Sequence, residues 1–186
     1  MIKSYETAMA RSKLSAPVQW AIEKGEVNNS IYDYGCGRGD DVRILNTMGY
    51  KAIGYDPHWA ITTEPNMLEF TTPTTIFCSY VLNVIADKQE RKQVLLNLRS
   101  VLRRCPLPSN LYVAVRSSAA INKAAKQGGW TAHLDGYMSS ATKNTFQKGY
   151  TKKEISETLG SIGLTPFTPK TLSGGYVVRI EKGLMK

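Results

Sequence analysis

Apolar and polar positions follow two periods along this chain. Short apolar runs rich in Ile, Val and Tyr, bounded by Gly, Asn or Asp, predict strands at Ser30–Tyr34, Lys51–Tyr55, Thr75–Tyr80 and Leu111–Arg116. Helices fall between and around them. Ser15 caps one that runs to Lys24, with Pro17 in its first turn and Gly25 after its end. Asp41–Met48 reads as a second, closed by Gly49. Asp87-x-x-Glu90 has the form of a capping box and opens a long helix to about Arg104, stopped ahead of Pro106 and Pro108. Thr151-x-x-Glu154 repeats that signal and opens a helix to Ile162. Leu164–Pro169 and Tyr176–Glu181 flank Ser173-Gly174-Gly175 and read as a terminal β-hairpin. Residues 117–149, rich in Gly, Ser and Lys, read as a partly helical insertion or lid.

The order is strand–helix–strand units followed by a hairpin. It predicts an α/β domain with a mostly parallel sheet and an antiparallel C-terminal end, covering residues 1–186, with a helical arm at 1–28. The 42% hydrophobic content over 186 residues suits one core of substantial size.

The chemistry concentrates between Tyr32 and Trp59. After the first strand the chain reads Asp33-Tyr34-Gly35-Cys36-Gly37-Arg38-Gly39-Asp40-Asp41. Glycines without Cβ let the backbone turn sharply and approach a ligand, and the helix that follows offers unpaired N–H groups. Asp56 comes 21 residues after Gly35, at the end of the second strand, where a carboxylate can accept both hydroxyl hydrogens of a ribose. A dinucleotide fingerprint would need glycine at position 40, and Asp40 and Asp41 stand there instead. Two carboxylates at a helix start repel a pyrophosphate, suit a cationic ligand and complement the helix dipole.

The pattern Asp33-x-Gly35-x-Gly37-x-Gly39 resembles motif I of the class I S-adenosylmethionine (SAM) methyltransferases. SAM carries an ammonium, a sulfonium and a ribose, and no phosphate. Further blocks, "DYGCGRGDDVRILNTMGYKAIGYDP", "SYVLNVI" with "RKQVLLNLRSVL", "TAMARSKLSAPVQWAIEKG" and "TFQKGYTKKEI", resemble the methyltransferases associated with bacterial DNA phosphorothioation genes. The resemblance covers somewhat over half of the chain. It implies a Rossmann-like class I methyltransferase sheet, SAM as cofactor, and cofactor contacts from Asp33, Gly35, Cys36, Gly37, Gly39, Asp40, Asp56, Pro57 and Cys78. It does not imply a particular methyl acceptor.

Two departures from that family stand out. Only 18 residues separate Asp56 from Thr75, too few for a helix, a strand and a second helix of ordinary length. The sheet is therefore expected to be shortened at the edge where the family's third strand would stand. Met67, Leu68 and Glu69 are then the local candidates for adenine contact. The second departure is catalytic. After the Thr75–Tyr80 strand the chain has Cys78-Ser79-Tyr80-Val81-Leu82-Asn83, without the (Asp/Asn/Ser)-Pro-Pro-(Tyr/Phe/Trp) of amino-directed nucleic-acid methyltransferases. Cys105-Pro106 reverses the Pro-Cys order of the C5-cytosine enzymes and sits at a helix end, which makes Cys105 incidental. In-line methyl transfer needs an aligned nucleophile and sometimes a base. Ser79, Tyr80 and Asn83 are the candidates, being next to the strand end.

Charge widens the range of partners. The net charge of +9 favours anionic partners, nucleic acid among them. Lys123, Lys126, Lys143, Lys148, Lys152 and Lys153 lie in one stretch with Trp130, Tyr137, Phe146 and Tyr150, a mixture that suits phosphates and stackable bases. A solvated lid would look similar. Arg11, Lys13, Arg116, Gln147 and Lys148 are the candidate substrate contacts, and Arg11 or Lys13 could equally take the SAM carboxylate. His58 is placed beside the adenine end. Cys36, Cys78 and Cys105 form no C-x-x-C pair, and with two histidines no metal site is expected; free thiols fit a reducing cytoplasm. No run of about 18 apolar residues predicts a membrane span, and residues 1–6 lack the apolar core of a signal peptide.

Three classes of function follow: a SAM-dependent methyltransferase, a non-catalytic SAM-fold module that binds nucleic acid or regulates a partner, and, more distantly, a SAM-cleaving enzyme.

Overall fold

The computed structural model describes residues 2–59 and 73–184. A six-stranded sheet organises the molecule. Four strands run parallel: β1 (Ser30–Tyr34), β2 (Lys51–Tyr55), β3 (Thr75–Ser79) and β4 (Asn110–Arg116). Numbering all strands in chain order, β9 (Gly175–Glu181) is antiparallel to β4, and β8 (Lys170–Leu172) pairs antiparallel with β9. The order across the sheet is β2-β1-β3-β4-β9-β8. The chain therefore moves from β1 to one side and returns to the other, leaving a switch point at the carboxyl ends of β1 and β3. Ligands of open α/β sheets bind in such crevices.

Alternate residues of the central strands feed two cores, because a strand points successive side chains to opposite faces. Ile31, Phe77, Tyr112 and Ala114 join Val18 and Ala21 of α1 (Ala16–Glu23) and Val42 and Leu45 of α2 (Asp40–Thr47). Tyr32, Ile76, Cys78, Leu111 and Val113 join Leu95, Leu98 and Leu102 of α4 (Lys88–Arg104) and Ile155 and Leu159 of α6 (Lys152–Gly160). Burial on both faces explains why these strands read as near-continuous apolar runs.

The helix starts obey their local signals. The Asp87 carboxylate accepts the Gln89 N–H at 2.6 Å and the Glu90 N–H at 3.3 Å. Thr151 and Glu154 form a reciprocal capping box. A short helix, α3 (Val81–Val84), leaves β3 directly, and α5 (Ser118–Gly128) follows β4.

Two segments differ from the sequence reading. Beyond α5, residues 131–147 form a separate antiparallel sheet of β5 (Thr131–His133), β6 (Gly136–Ser140) and β7 (Thr145–Gln147). These strands are short and largely polar, so no apolar alternation announces them. The terminal hairpin uses Lys170–Leu172, not Leu164–Pro169. The two-residue turn Ser173-Gly174, with Gly174 at φ +74°, sets Leu172 opposite Gly175 and fixes the pairing. Leu164–Pro169 pairs with β9 through a Pro166–Ile180 bridge and a Phe167 N–H to Arg179 carbonyl bond of 2.9 Å, with the Arg179 guanidinium 4.4 Å over the Phe167 ring. Pro166 and Pro169 bring no N–H for a longer ladder. The expected shortened edge between Asp56 and Thr75, and with it Met67, Leu68 and Glu69, falls largely outside the described residues.

Candidate functional site

The turn after β1 is built by backbone handedness. Gly35, Gly37 and Gly39 have φ of +78°, +55° and +74°, a region that L side chains avoid. A Cβ on Gly35 would lie 2.3 Å from Val81 Cγ2, so helix α3 packs directly on the glycine loop. The Gly35 N–H donates to the Tyr55 carbonyl at 2.7 Å, tying the loop to the end of β2.

One residue past β2, Asp56 is held from two sides. Its Oδ2 accepts the Gly37 N–H at 3.0 Å, and its Oδ1 accepts the His58 N–H at 2.9 Å. An ionised carboxylate has about four lone-pair sites, so two acceptor positions remain for hydroxyls of a ligand.

A cleft of about 500 Å³ opens at the carboxyl ends of β1, β3 and β4. Gly35, Cys36, Gly37, Asp56, Pro57 and His58 line one end. Ser79, Tyr80, Arg116 and Gln147 line the other. Residues 4–11 form its roof. The Tyr5 ring lies 4.9 Å from the His58 ring, Arg38 Nε donates to the Ala8 carbonyl at 3.3 Å, and the Arg11 N–H donates to Asp40 Oδ2 at 2.7 Å. The Lys3 N–H donates to the Asn144 carbonyl at 2.9 Å, so the same arm reaches the small sheet.

Not every sequence candidate faces this cleft. Asp33 is buried at the end of β1 and accepts no hydrogen bond from a described residue. Burial, reinforced by the nearby Asp41 carboxylate, pushes its carboxyl up to about 8. Cys78 is fully buried in the core. Cys36 lines the cleft, but burial and the Asp33 and Asp56 carboxylates push its thiol up to about 12, so it stays neutral and unreactive. Gly39 caps α2, and Lys13 stands exposed away from the cleft. Asp40 is engaged by the Arg11 N–H and by Arg43 at 3.3 Å, and these contacts lower its pKa. It clasps the arm and does not line the cleft.

Two candidates take structural roles. Asn83 is fully buried: its Nδ2 donates to the Lys148 carbonyl at 2.6 Å and its Oδ1 accepts the Arg116 N–H at 3.1 Å. Both ends of the amide are thus engaged in holding the strand end that carries Arg116 to the end of β7. Lys148 is also buried; its Nζ lies 2.6 Å from Glu154 and 3.5 Å from Asp135. Asp135 binds Arg91 at 2.6 Å as well. A lysine held this way anchors the small sheet to α4 and α6 and is not available to a substrate.

Ser79 and Tyr80 remain at the cleft. The Ser79 hydroxyl is buried and has no partner among the described residues. An orphaned polar atom on a cleft wall marks a place for a ligand's polar group. Tyr80 has φ +65°, a strained value for a bulky residue, and its N–H is fixed to the Ala114 carbonyl at 2.8 Å. Its phenol is pushed up by burial and drawn back by Arg11 and Arg116.

The sequence reading missed several lining residues. Tyr5, Ala8 and Arg38 sit on or under the arm, and Ser173 and Gly174 come from the β8–β9 turn. That turn was legible as a hairpin. Its place at the cleft follows from the β4–β9 register, which sets Arg116 opposite Gly175.

The fold is shared with solved methyltransferases. A SAM-dependent methyltransferase from Methanosarcina mazei superposes with a TM-score of 0.64 at 16% identity, over 89% of this chain and 98% of that one. The PH0226 protein from Pyrococcus horikoshii OT3 gives 0.66 at 11%, over 89% and 87%. The 1,6-didemethyltoxoflavin-N1-methyltransferase from Burkholderia thailandensis, with bound 1,6-didemethyltoxoflavin and S-adenosylhomocysteine, gives 0.54 at 12%, over 94% and 93%. No family model and no curated protein matches the sequence. At these identities the likeness defines the architecture: a Rossmann-like sheet of the methyltransferase type. No helix among the described residues is long and apolar enough to cross a membrane.

Proposed function

We propose that this chain is a SAM-dependent methyltransferase. The observation that carries the reading is the Asp56 carboxylate, fixed by the Gly37 and His58 N–H groups at the lip of a glycine-lined cleft. That arrangement suits ribose hydroxyls. The residues present also fit the remaining parts of the cofactor. Asp33 lies buried behind the glycine loop with no hydrogen-bond donor among the described residues, and a cationic centre at the cleft would favour its ionised form; Arg11 suits the methionine carboxylate; the Ser79 hydroxyl, without a partner among the described residues, suits the methionine end. Bound there, SAM would supply an electrophilic methyl to an acceptor lone pair, the carbon–sulfur bond breaking as the new bond forms and the sulfur leaving as a neutral thioether, with any proton on the acceptor atom passing to water.

The chain's own contribution is positioning. The glycine loop lets the backbone approach the cofactor without side-chain bulk, its own Gly35, Cys36, Gly37 and Gly39 N–H groups being engaged by Tyr55, Asp56 and Cys36. Asp56 orients the ribose, and the arm and Tyr80 narrow the cleft against water. S-adenosylhomocysteine bound in the Burkholderia enzyme adds support by analogy of fold.

Nucleic acid as acceptor would draw on the basic stretch Lys123–Lys153 and on the resemblance to phosphorothioation-associated methyltransferases. Burial of Lys148 weakens that stretch. A non-catalytic module would keep cofactor binding without turnover.

Isothermal titration with SAM, S-adenosylhomocysteine and NAD tests the reading. SAM and its demethylated product should bind and NAD should not. NAD binding without SAM binding overturns it. Radiolabel transfer from SAM then separates an enzyme from a module.

A further inference from the structure

Charge is distributed unequally along the cleft. Its lining carboxylates are Asp56, just past β2, and Glu90, on the first turn of α4. Glu90 also borders a neighbouring cavity of about 730 Å³ shared with His58 and with Leu134 and Asp135 of the small sheet. Among the described lining residues, those from the ends of β3, β4 and β7 and from the β8–β9 turn include no carboxylate. Arg116, Tyr80, Ser79 and Gln147 stand there, closed off by the Ser173-Gly174 turn.

Arg116 is held rigidly at its backbone. Its N–H is bound by Asn83 Oδ1 at 3.1 Å, and its carbonyl accepts the Tyr150 N–H at 2.9 Å. Gly175 packs so closely against this strand end that a Cβ there would lie 2.3 Å from the Val115 carbonyl oxygen. Yet the Arg116 guanidinium, half-buried, makes no hydrogen bond or ion pair to a described residue. The other cleft arginines are accounted for differently. Arg38 lies 4.8 Å over the Trp59 ring and donates to Ala8. Arg11 comes from the arm above the glycine loop, on the cofactor's side.

Distance separates Arg116 from the ribose position. β4 is three strand spacings from β2, roughly 14 Å across the sheet. The expected cofactor runs from Asp56 past Gly35 toward Ser79, so Arg116 lies beyond its methionine end. A pre-positioned, partly desolvated guanidinium without a protein partner is completed by a planar anion that it can bind with two hydrogen bonds.

We infer that the methyl acceptor is a small anionic molecule, a carboxylate or a phosphomonoester, bound by Arg116 at the β4 end of the cleft with Gln147 and Tyr80 beside it. This rests on the methyltransferase reading of the same cleft. A cleft of about 500 Å³, roofed by the arm and flanked by the small sheet, suits a compact acceptor better than a polymer.

The test uses the full chain and radiolabelled SAM. A dialysable cell extract is resolved on an anion exchanger into anionic, neutral and cationic pools; DNA and RNA from the same cells are assayed in parallel. Label should enter the anionic pool. Arg116→Gln should lower labelling at limiting acceptor about tenfold or more, the scale of a lost charge-assisted hydrogen bond. Arg116→Lys should recover part of it, and SAM affinity by calorimetry should stay unchanged in both. Lys92→Gln, which removes an exposed charge from α4, should leave labelling at the wild-type level. Phosphatase treatment of the pool separates a phosphomonoester, whose labelling is lost, from a carboxylate, whose labelling persists. Label in the neutral or cationic pool, in DNA or RNA, or in nothing while SAM binds, overturns the anionic acceptor. So does full labelling by Arg116→Gln. A wild-type protein that does not bind SAM removes the underlying reading instead.

Discussion

Asn83 and Lys148 bind each other twice: the Asn83 side chain donates to the Lys148 carbonyl at 2.6 Å, and the Lys148 N–H donates to the Asn83 carbonyl at 2.7 Å. The pair joins the helix after β3 to the end of β7. Through Asn83 Oδ1 it also fixes the strand end that carries Arg116. Asn83→Ala leaves the Arg116 N–H and one acceptor site of the Lys148 carbonyl without these partners in a buried region. The expected loss is about 2–4 kcal/mol of stability, from one to three per unpaired group. Urea denaturation would measure it. A loss below about 0.5 kcal/mol, the range of surface changes, would show that the amide is not a structural clamp.

Lys148→Met should destabilise through a different route. It leaves Glu154 without its 2.6 Å partner and removes one of two cations from Asp135. Breaking a buried ion pair from one side costs on the order of 3–5 kcal/mol, and partial exposure of Glu154 puts this case at the lower end. Restoration by a simultaneous Glu154→Gln change would identify charge, and not volume, as the cause.

Asp33 sets a pH dependence. Its folded carboxyl titrates at about 8, well above the value of 3.8 it has when exposed. Between about pH 4 and 8 the folded state therefore holds a proton that the unfolded state has released. Stability should fall as pH rises through that window, by a few kcal/mol in total, and level off above it. Asp33→Asn should flatten the curve. If the cofactor's ammonium settles beside Asp33, it will favour the ionised form, and SAM binding near pH 7 will release a proton. Calorimetry in buffers of different ionisation heat reads that release directly; equal heats in all buffers would separate Asp33 from the cofactor.

Asp56→Ala should weaken SAM binding by about 1.5–3 kcal/mol, the range for a hydrogen bond to a charged group. Unchanged affinity would dismiss the ribose assignment.

Gly35→Ala combines two penalties: a φ of +78° and a new methyl 2.3 Å from Val81 Cγ2. Overpacking and left-handed strain together cost on the order of 2–4 kcal/mol. Thermal unfolding should register the loss, and SAM binding should fall with it. Gly35→Ala with native stability would mean the loop can shift away from α3.

The parallel half of the fold was legible because its strands bury both faces. Ile31 and Tyr32, or Phe77 and Cys78, look alike as apolar neighbours but enter opposite cores. The glycine loop and Asp56 were legible because their chemistry depends on spacing within one βαβ unit. The small sheet was not. Among its strands, the fully buried hydrophobic residue is Phe146, and an ion cluster from distant positions secures it. Long-range charge pairing leaves no periodic trace. For the same reason Lys148 read as a candidate substrate contact within a basic stretch. Asn83 had the right residue type for catalysis, but only the tertiary contacts of its amide with the Lys148 carbonyl and the Arg116 N–H reveal its clamping role.

The left-handed loop at Gly35, Gly37 and Gly39 gives one wall of the cleft a bare backbone surface, whereas the opposite wall carries side chains from β4 and the small sheet. The two walls answer to different rules of inheritance. Almost any substitution in the first forfeits its backbone course, so its chemistry is frozen. The second can exchange Gln147 or the residues around it while the first stays intact. On the methyltransferase reading proposed above, a scaffold divided in this way can change its acceptor without relearning how it holds the reagent.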